Sequence, residues 1–156
     1  MQIRKAQPSE AGILTHIAHQ AKGYWNYPAE YIRLWQRELS FTPEYIADHP
    51  VYCAHAQNRL IGVYAASQHR GSWEIDHFWV LPEFIGTGVG RRMFNHLLNV
   101  IRKTGGKVLK IASDPNAEGF YLKMGARRVG RVPSTPAGRT LPLLEMRIPK
   151  DRKESR

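Results

Sequence analysis

Three alternating glycines, Gly86, Gly88 and Gly90, stand between two segments of different pattern. Residues 73–80, ahead of them, are rich in β-branched and aromatic side chains, which predicts a strand. Behind them, apolar residues recur at helical spacing. The first amides of a helix lack partners inside it, and glycines let a ligand approach the backbone. The spacing therefore predicts a cradle for phosphate or pyrophosphate, to which Arg91 and Arg92 add positive charge.

The same glycines have a simpler interpretation, in which they only allow a tight turn before the helix. Two familiar phosphate loops do not fit the stretch. A Walker loop would end in Gly-Lys-Ser or Gly-Lys-Thr, and neither follows these glycines. The dinucleotide-binding loop has Gly-x-Gly-x-x-Gly spacing, whereas single residues separate the glycines here.

The stretch resembles the acetyl-CoA loop of the GNAT (GCN5-related N-acetyltransferase) family. The family pattern is Val-x-Pro, a short spacer, Arg or Gln, and then Gly-x-Gly-x-Gly or Ala. Val80, Pro82 and the three glycines fit this pattern, while Ile85 stands where the Arg or Gln is usual. The resemblance implies that loop amides hold the pyrophosphate and that the preceding strand pairs with the pantetheine arm.

A second segment, residues 114–126, resembles the family's Asn-x-x-Ala-x-x-Phe-Tyr-x-Lys-x-Gly-Phe segment. Asp114 replaces the usual Asn, and Ala126 replaces the usual Phe. The resemblance implies that acetyl-CoA is the co-substrate and that no metal is needed. The positions that match in register are Ala117, Phe120, Tyr121, Lys123 and Gly125. The predicted cofactor contacts are Phe78, Trp79, Val80, Gly86, Thr87, Gly88, Val89, Gly90, Arg91, Asp114, Asn116 and Phe120.

Acetyl transfer from a thioester to an amine needs a deprotonated amine and a proton for the departing thiolate. The resemblance assigns the proton donor to Tyr121, for which a core tyrosine is the simpler interpretation. The base is Asp76, where many family members carry an acid, or His77, whose imidazole has the better intrinsic pKa. Alternation along a strand predicts that these two lie on opposite faces. A base acting through water, or a purely structural role for either residue, is also compatible with the pattern.

Aromatic residues crowd the segment after the first predicted helix, with Tyr24, Trp25 and Tyr27 close together and Trp35 in the next helix. The resemblance places the acceptor pocket here. Such rings either shape a pocket and stack on a cation or simply pack the helices onto the sheet. The predicted acceptor is the primary amine of a small molecule or a peptide.

The elements that position these residues follow from periodicity and turn residues. The first predicted helix presents Ile13, Leu14, Ile17 and Ala18 as its apolar face. Strand 107–112 is predicted to run parallel to strand 73–80 across a right-handed helical crossover. The resemblance implies that the two strands diverge to admit the pantetheine arm. The fold class is therefore α/β (α+β), a mixed, mostly antiparallel sheet of about six to seven strands flanked by helices. The other predicted strands are 2–6, 51–56, 60–67, 127–132 and 143–148, and a hairpin turn is predicted at 58–59. The other predicted helices include 28–39 and a short helix that ends at about 48.

Length and composition limit the remaining possibilities. The 156 residues fit one domain, 1–149, followed by a basic tail, 150–156. The net charge of +10 attracts polyanions, but no nucleic-acid-binding motif accompanies it, so no specific nucleic acid is expected. No apolar run in the sequence suits a membrane span or a signal peptide. The single cysteine excludes an internal disulfide. These features predict that the protein is located in the cytoplasm. A homodimer is compatible with the sequence.

The predicted function is an N-acetyltransferase that works by direct transfer in a ternary complex. The alternative is a non-catalytic acyl-CoA sensor, or a basic nucleic-acid-associated module, on the same fold. The departures at Ile85, Asp114 and Ala126 keep that alternative open.

Overall fold

The computed structural model describes residues 1–150 and shows one seven-stranded sheet in the order β1-β2-β3-β4-β5-β7-β6. Residues 151–156, most of the predicted basic tail, lie outside the described residues. The strands are β1 Gln2–Lys5, β2 Val51–Ala56, β3 Arg59–His69, β4 Ser72–Val80, β5 Val108–Ala112, β6 Arg127–Pro133 and β7 Thr140–Arg147. The helices are α1 Ala11–Gly23, α2 Ala29–Leu34, α3 Pro43–Asp48, α4 Val89–Lys103 and α5 Glu118–Lys123.

The predicted fold class is confirmed. Every neighbouring pair in the sheet is antiparallel except β4 and β5, which are parallel and joined through α4. Some predicted boundaries were wrong. The second helix ends at Leu34, and the chain continues as turns instead of reaching the predicted residue 39. The β2–β3 turn lies at Gln57 and Asn58, one residue earlier than predicted. The φ values of these two residues, 52° and 63°, match a left-handed hairpin turn.

Helix α4 packs the core against one face of the sheet. Met93, Phe94, Leu97 and Ile101 are all fully buried, and they repeat at the spacing of one helical face. On the opposite layer, α1 buries Leu14, Ile17 and Ala18 as predicted. The prediction for Ile13 was wrong, because this side chain is 55% exposed and lies just outside the buried stripe.

The two parallel strands pair over a very short stretch. The β4–β5 register contains only Trp73 with Leu109 and Glu74 with Lys110. Beyond these residues the strands separate, as predicted, and β4 keeps its pairing with β3 alone. A wedge-shaped opening therefore lies in the sheet between the second half of β4 and the end of β5.

A β-bulge interrupts β4 at Asp76. Ile75 pairs with Ala66 and His77 pairs with Ala65, which leaves Asp76 as the extra residue. The predicted strict alternation of faces along this strand was therefore wrong. The Tyr45 hydroxyl donates to Asp76 and the Tyr45 ring lies 5.8 Å from the His77 ring, so both neighbours reach the α3 side of the sheet.

None of the helices within residues 1–150 combines the length and apolar character that crossing a bilayer requires.

Replacing Leu97 by Ala tests the packing of α4. Removing this fully buried side chain should lower the free energy of unfolding by about 2–5 kcal/mol, because a cavity replaces the lost contacts. Urea unfolding followed by circular dichroism measures the change. Asn95→Ala, at an exposed position of the same helix, is the matched control and should stay within about 0.5 kcal/mol. Equal effects of the two changes would contradict the described packing.

Candidate active site

A cavity of about 540 Å³ fills the opening between β4 and β5. Its wall combines the glycine loop before α4, the second half of β4, the end of β5 and the start of α5. Such a cavity, mostly apolar with a few convergent polar groups, is the usual form of a small-molecule site. The lining includes the predicted site residues Asp76, His77, Phe78, Trp79, Val80, Gly86, Gly88, Gly90, Arg91, Asp114, Asn116, Phe120 and Tyr121.

The glycine loop presents backbone to this cavity. Gly86 and Gly88 have φ values of 80° and 92°, in the region that favours glycine, and Gly88 is the N-cap of α4. A Cβ built on either residue would meet no atom within 4 Å, so the space above the loop is open. Gly90 lies in the first turn of α4, where its Cβ position is 3.4 Å from the Phe120 ring. The loop therefore has the shape of an anion cradle with one aromatic wall.

Two other predicted contacts of this loop do not line the cavity with their side chains. The Thr87 hydroxyl donates to the Phe84 carbonyl at 2.6 Å, and Val89 is buried in the core. Arg91 lines the cavity. The prediction for Arg92 was wrong, because its side chain donates to the carbonyl of Met1 at 3.3 Å and does not line the cavity. The positive charge available to a bound anion here thus comes from Arg91 and the start of the helix.

Tyr121 is the buried phenol of the site. Only 5% of the residue is exposed, and its ring packs among Phe78, Phe94 and Phe120. Burial raises the pKa of Tyr121 above its ordinary value, and the charge of Asp114 adds to the effect. Within residues 1–150 no group forms a hydrogen bond with the hydroxyl, although the residue lines the cavity. The hydroxyl is therefore a protonated donor left available to a ligand.

Asp76 is an exposed carboxylate on the cavity wall with two hydroxyl partners. Tyr45 donates to Oδ2 at 2.8 Å and Ser67 donates to Oδ1 at 2.9 Å. Burial and the bond to the carboxylate raise the pKa of Tyr45, so that its hydroxyl stays a donor. These two bonds fix the direction of the carboxylate at the bulge.

His77 is a neutral imidazole. Burial lowers the pKa of His77 to about 4, against the opposing effect of the Asp76 charge. The Trp79 indole N–H, which can only donate, bonds to Nδ1 of His77 at 3.0 Å. The proton of the neutral ring must therefore reside on Nε2, and the ring packs against Phe41 with centroids 4.2 Å apart. His77 is held as a donor and a packing residue.

Of the four predicted acceptor residues, the structure brings only Trp25 to the cavity wall. Trp25 is 40% exposed, and Tyr24 packs edge-on against it with centroids 4.7 Å apart. Tyr27 and Trp35 instead surround Lys22, whose ammonium lies 4.9 Å and 4.5 Å from their ring centroids. Those two rings stack on a cation of this chain itself.

Lys22 belongs to a cluster of charges around Asp114. Its ammonium is 2.6 Å from the Asp114 carboxylate, which also accepts a hydrogen bond from the Tyr27 hydroxyl at 2.8 Å. Asn116 donates to the carboxylate through both its backbone and its side-chain amide. Arg139, from the β6–β7 loop, approaches within 4.0 Å. The cluster therefore joins the end of α1, the turn after β5 and the β6–β7 loop.

The pKa values of this cluster reflect two cations sharing one carboxylate. Burial lowers the pKa of Lys22, which Asp114 opposes and Arg139 reinforces. Burial alone would raise the pKa of Asp114, but the bonds from Lys22, Asn116 and Tyr27 hold it below its ordinary value. The carboxylate is therefore ionised at neutral pH.

Sequence reasoning missed Lys22, Tyr45 and Arg139. They lie far along the chain from the residues that they contact, and no local motif marks them. No group of three or more His, Cys, Asp or Glu side chains suited to a metal ion occurs in the described part of the chain.

Comparisons with known proteins identify the family. The sequence profile of the acetyltransferase (GNAT) domain matches residues 33–148. A comparison with curated protein sequences gave no match.

Solved structures share the fold. PaiA N-acetyltransferase from Thermoplasma acidophilum, in complex with coenzyme A, superposes with a TM-score of 0.77 at 18% identity, covering 94% of this chain and 98% of that one. The ribosomal-protein-S18-alanine N-acetyltransferase from Escherichia coli gives 0.71 at 14% identity, with 96% and 95% covered. An aminoglycoside 6′-N-acetyltransferase complexed with coenzyme A gives 0.69 at 15% identity, with 97% and 99% covered.

At these identities the likeness concerns the fold, whereas the profile covers most of the sequence. The matched profile, the sheet topology and the glycine loop agree, and the chain belongs to the GNAT acetyltransferase family.

Proposed function

We propose that this protein transfers an acetyl group from acetyl-CoA to a primary amine of a small molecule or a peptide. The observation that carries the proposal is the hydroxyl of Tyr121, a donor without a hydrogen-bond partner among residues 1–150, on a residue that lines the same cavity as the glycine loop. A phenol that keeps its proton and has no protein partner can donate that proton to a ligand in the cavity. Two of the structures that share the fold were solved with coenzyme A, which supports the choice of donor.

The cavity fits coenzyme A on the evidence of its own residues. The open space over Gly86 and Gly88 suits a pyrophosphate, which the first amides of α4 and Arg91 would hold. The backbone of Phe78, Trp79 and Val80 lies on the side of β4 that β5 leaves unpaired, so it can pair with an extended amide-containing arm. Phe120 supplies an apolar wall between the site for the pyrophosphate and the site for the extended arm.

Acetyl-CoA, when bound, supplies an acetyl thioester that an amine can attack. We assign Asp76 as the base that accepts the proton of the amine, directly or through a water molecule. The carboxylate is exposed on the cavity wall, and Tyr45 and Ser67 fix its direction. His77 is the weaker candidate, because its Nδ1 is already an acceptor for Trp79 and its remaining nitrogen carries the proton.

Tyr121 provides the hydrogen-bond donor for the departing sulfur. Because its pKa is raised, the phenol keeps its proton across the range in which amines are reactive. Charge develops on the sulfur as the thioester breaks, and a fixed donor at that position stabilises it. The donor and the base thus line one cavity, on the two sides of the opening in the sheet.

The acceptor would enter from the side of Trp25. An exposed indole that lines the same cavity as the carboxylate of Asp76 suits a cationic amine carried on an apolar body, through stacking and charge attraction. The proposal includes a single domain, 1–149, that works in the cytoplasm without a metal and without a specific nucleic-acid partner. A non-catalytic acyl-CoA sensor would use the same cradle but would need neither Asp76 nor Tyr121.

Gly88→Glu should strongly weaken acetyl-CoA binding, because it places a side chain and a negative charge in the open space of the cradle. Calorimetric titration of the folded variant measures the loss. Gly71→Glu is the matched control, because Gly71 shares the backbone conformation and the open surroundings of Gly88. Gly71 differs in its position, since it lies in the β3–β4 turn and not in the glycine loop. Equal affinities of the two variants would contradict the assignment of the cradle.

Tyr121→Phe should leave acetyl-CoA binding nearly unchanged while turnover falls by roughly a hundredfold to ten-thousandfold, the usual effect of losing one positioned proton donor. Pre-steady-state measurements with an accepted amine show whether chemistry limits the rate. Because the raised pKa keeps the phenol protonated, turnover by the unmodified protein should not decline as pH rises from 7 to roughly 9.5. If the single-turnover rates of Tyr121→Phe and the unmodified protein lie within a few-fold of each other, Tyr121 is a packing residue and not the proton donor.

Asp76→Asn should reduce turnover by roughly a hundredfold or more, because the amide cannot accept the proton of the amine. Acetyl-CoA binding should be retained, and the loss should shrink as pH rises and the free amine becomes more abundant. Glu74→Gln, the same change of charge two residues earlier on β4 and outside the cavity lining, is the control and should keep normal turnover. An Asp76→Asn variant with unchanged turnover would remove Asp76 from the mechanism.

A further inference from the structure

A salt bridge between Lys22 and Asp114 links the last turn of α1 to the turn after β5, across 92 positions of sequence. The side chains are only 10% and 15% exposed, and their charged atoms are 2.6 Å apart. Removing a charge of this kind from water is costly unless hydrogen bonds satisfy it. Attraction between surface charges therefore does not explain the presence of this buried ion pair.

The partners of the Asp114 carboxylate are divided between its two oxygens. Oδ2 accepts from the Lys22 ammonium and from the Tyr27 hydroxyl. Oδ1 accepts from the backbone N–H of Asn116 at 2.8 Å and from its side-chain Nδ2 at 2.9 Å. One oxygen thus serves the α1 side of the cluster, and the other holds Asn116.

This arrangement determines which way the Asn116 amide faces. An ionised carboxylate only accepts hydrogen bonds, so the NH₂ end of the amide must turn toward Asp114. Nδ2 also lies 3.2 Å from the Tyr27 hydroxyl oxygen, which accepts while its own proton goes to Asp114. Both hydrogens of the amide are then directed into the cluster. The carbonyl oxygen is the end left for the cavity that Asn116 lines.

The charges of the cluster make Lys22 and Asp114 interdependent. An asparagine, the residue usual in the family at position 114, would need no cation beside it. An aspartate does, and the Lys22 ammonium lies between it and the rings of Tyr27 and Trp35. A carboxylate left here without Lys22 would be a poorly compensated charge, with Arg139 only at 4.0 Å.

We propose that Lys22 and Asp114 are positioning residues that fix Asn116 as a hydrogen-bond acceptor for an amide N–H of the bound pantetheine arm. Lys22 holds the carboxylate, and the carboxylate orients the amide. The proposal rests on the proposed use of acetyl-CoA. It assigns to the end of α1, outside the glycine loop and outside the reacting atoms, a part in holding the cofactor.

Four full-length proteins test the proposal: the unmodified chain, Lys22→Met, Asp114→Asn and the double variant. Calorimetry measures the affinity of each for coenzyme A and for adenosine 3′,5′-diphosphate, which lacks the pantetheine arm. Circular dichroism confirms that each protein is folded at the temperature used. The second ligand is the internal control, because the glycine loop that would hold its phosphates contains neither changed residue.

Each single change should weaken coenzyme A binding by roughly fivefold or more, the effect of losing one well-placed hydrogen bond. In Asp114→Asn, the new NH₂ group or the uncompensated ammonium disturbs the cluster. In the double variant, the side-chain carbonyl of the introduced asparagine can still accept from Asn116 while the introduced methionine packs against the rings. Its affinity should therefore return to within about threefold of the unmodified protein. Affinity for adenosine 3′,5′-diphosphate should be the same for every variant.

Equal coenzyme A affinities for all folded proteins, or the same loss for both ligands, would overturn the proposal. A double variant that binds coenzyme A no more tightly than Asp114→Asn would also overturn the proposal. This comparison remains decisive if Lys22→Met does not fold. An unmodified protein that binds neither ligand would instead overturn the proposed function, and the inference with it.

Discussion

The separation of β4 from β5 is the constraint on which the rest of this site depends. The two parallel strands pair at Trp73 and Glu74 and then part, which leaves one edge of β4 without a neighbouring strand. Backbone groups in such a position need a partner, and a buried group without one is costly. The opening therefore favours either solvent or an extended ligand that supplies its own amides. The glycine loop, the buried phenol and the charge cluster all surround this opening.

The bulge at Asp76 is the second consequence of how β4 is built. It turns two neighbouring residues toward the same side, so that a carboxylate and an imidazole both reach the layer formed by α3. Their environments then separate their roles. Asp76 remains exposed with two hydroxyl donors, whereas burial and the Trp79 indole hold His77 neutral. The bulge thus brings both side chains to one side of the sheet, and their surroundings leave only the Asp76 carboxylate exposed.

Local patterns predicted much of the fold and part of the site. The glycines before α4, the β-branched strand ahead of them and the segment around Tyr121 carry their signals within a few residues of sequence. The bulge left no such signal, because it depends on the register with β3. The same holds for Lys22, whose buried charge is compensated by a carboxylate 92 positions away. Aromatic content alone also failed to separate Trp25, on the cavity wall, from Trp35, which closes over Lys22.

We propose that this cavity brings an acetyl thioester and an amine together. The most direct test is to incubate the purified protein with acetyl-CoA and a panel of primary amines, and to follow free coenzyme A and acetylated product together by mass spectrometry. We expect at least one amine for which the two products appear in equal amounts and at a rate proportional to protein concentration. Tight binding of acetyl-CoA without acetylation of any amine above the uncatalysed rate would contradict it and favour a sensor.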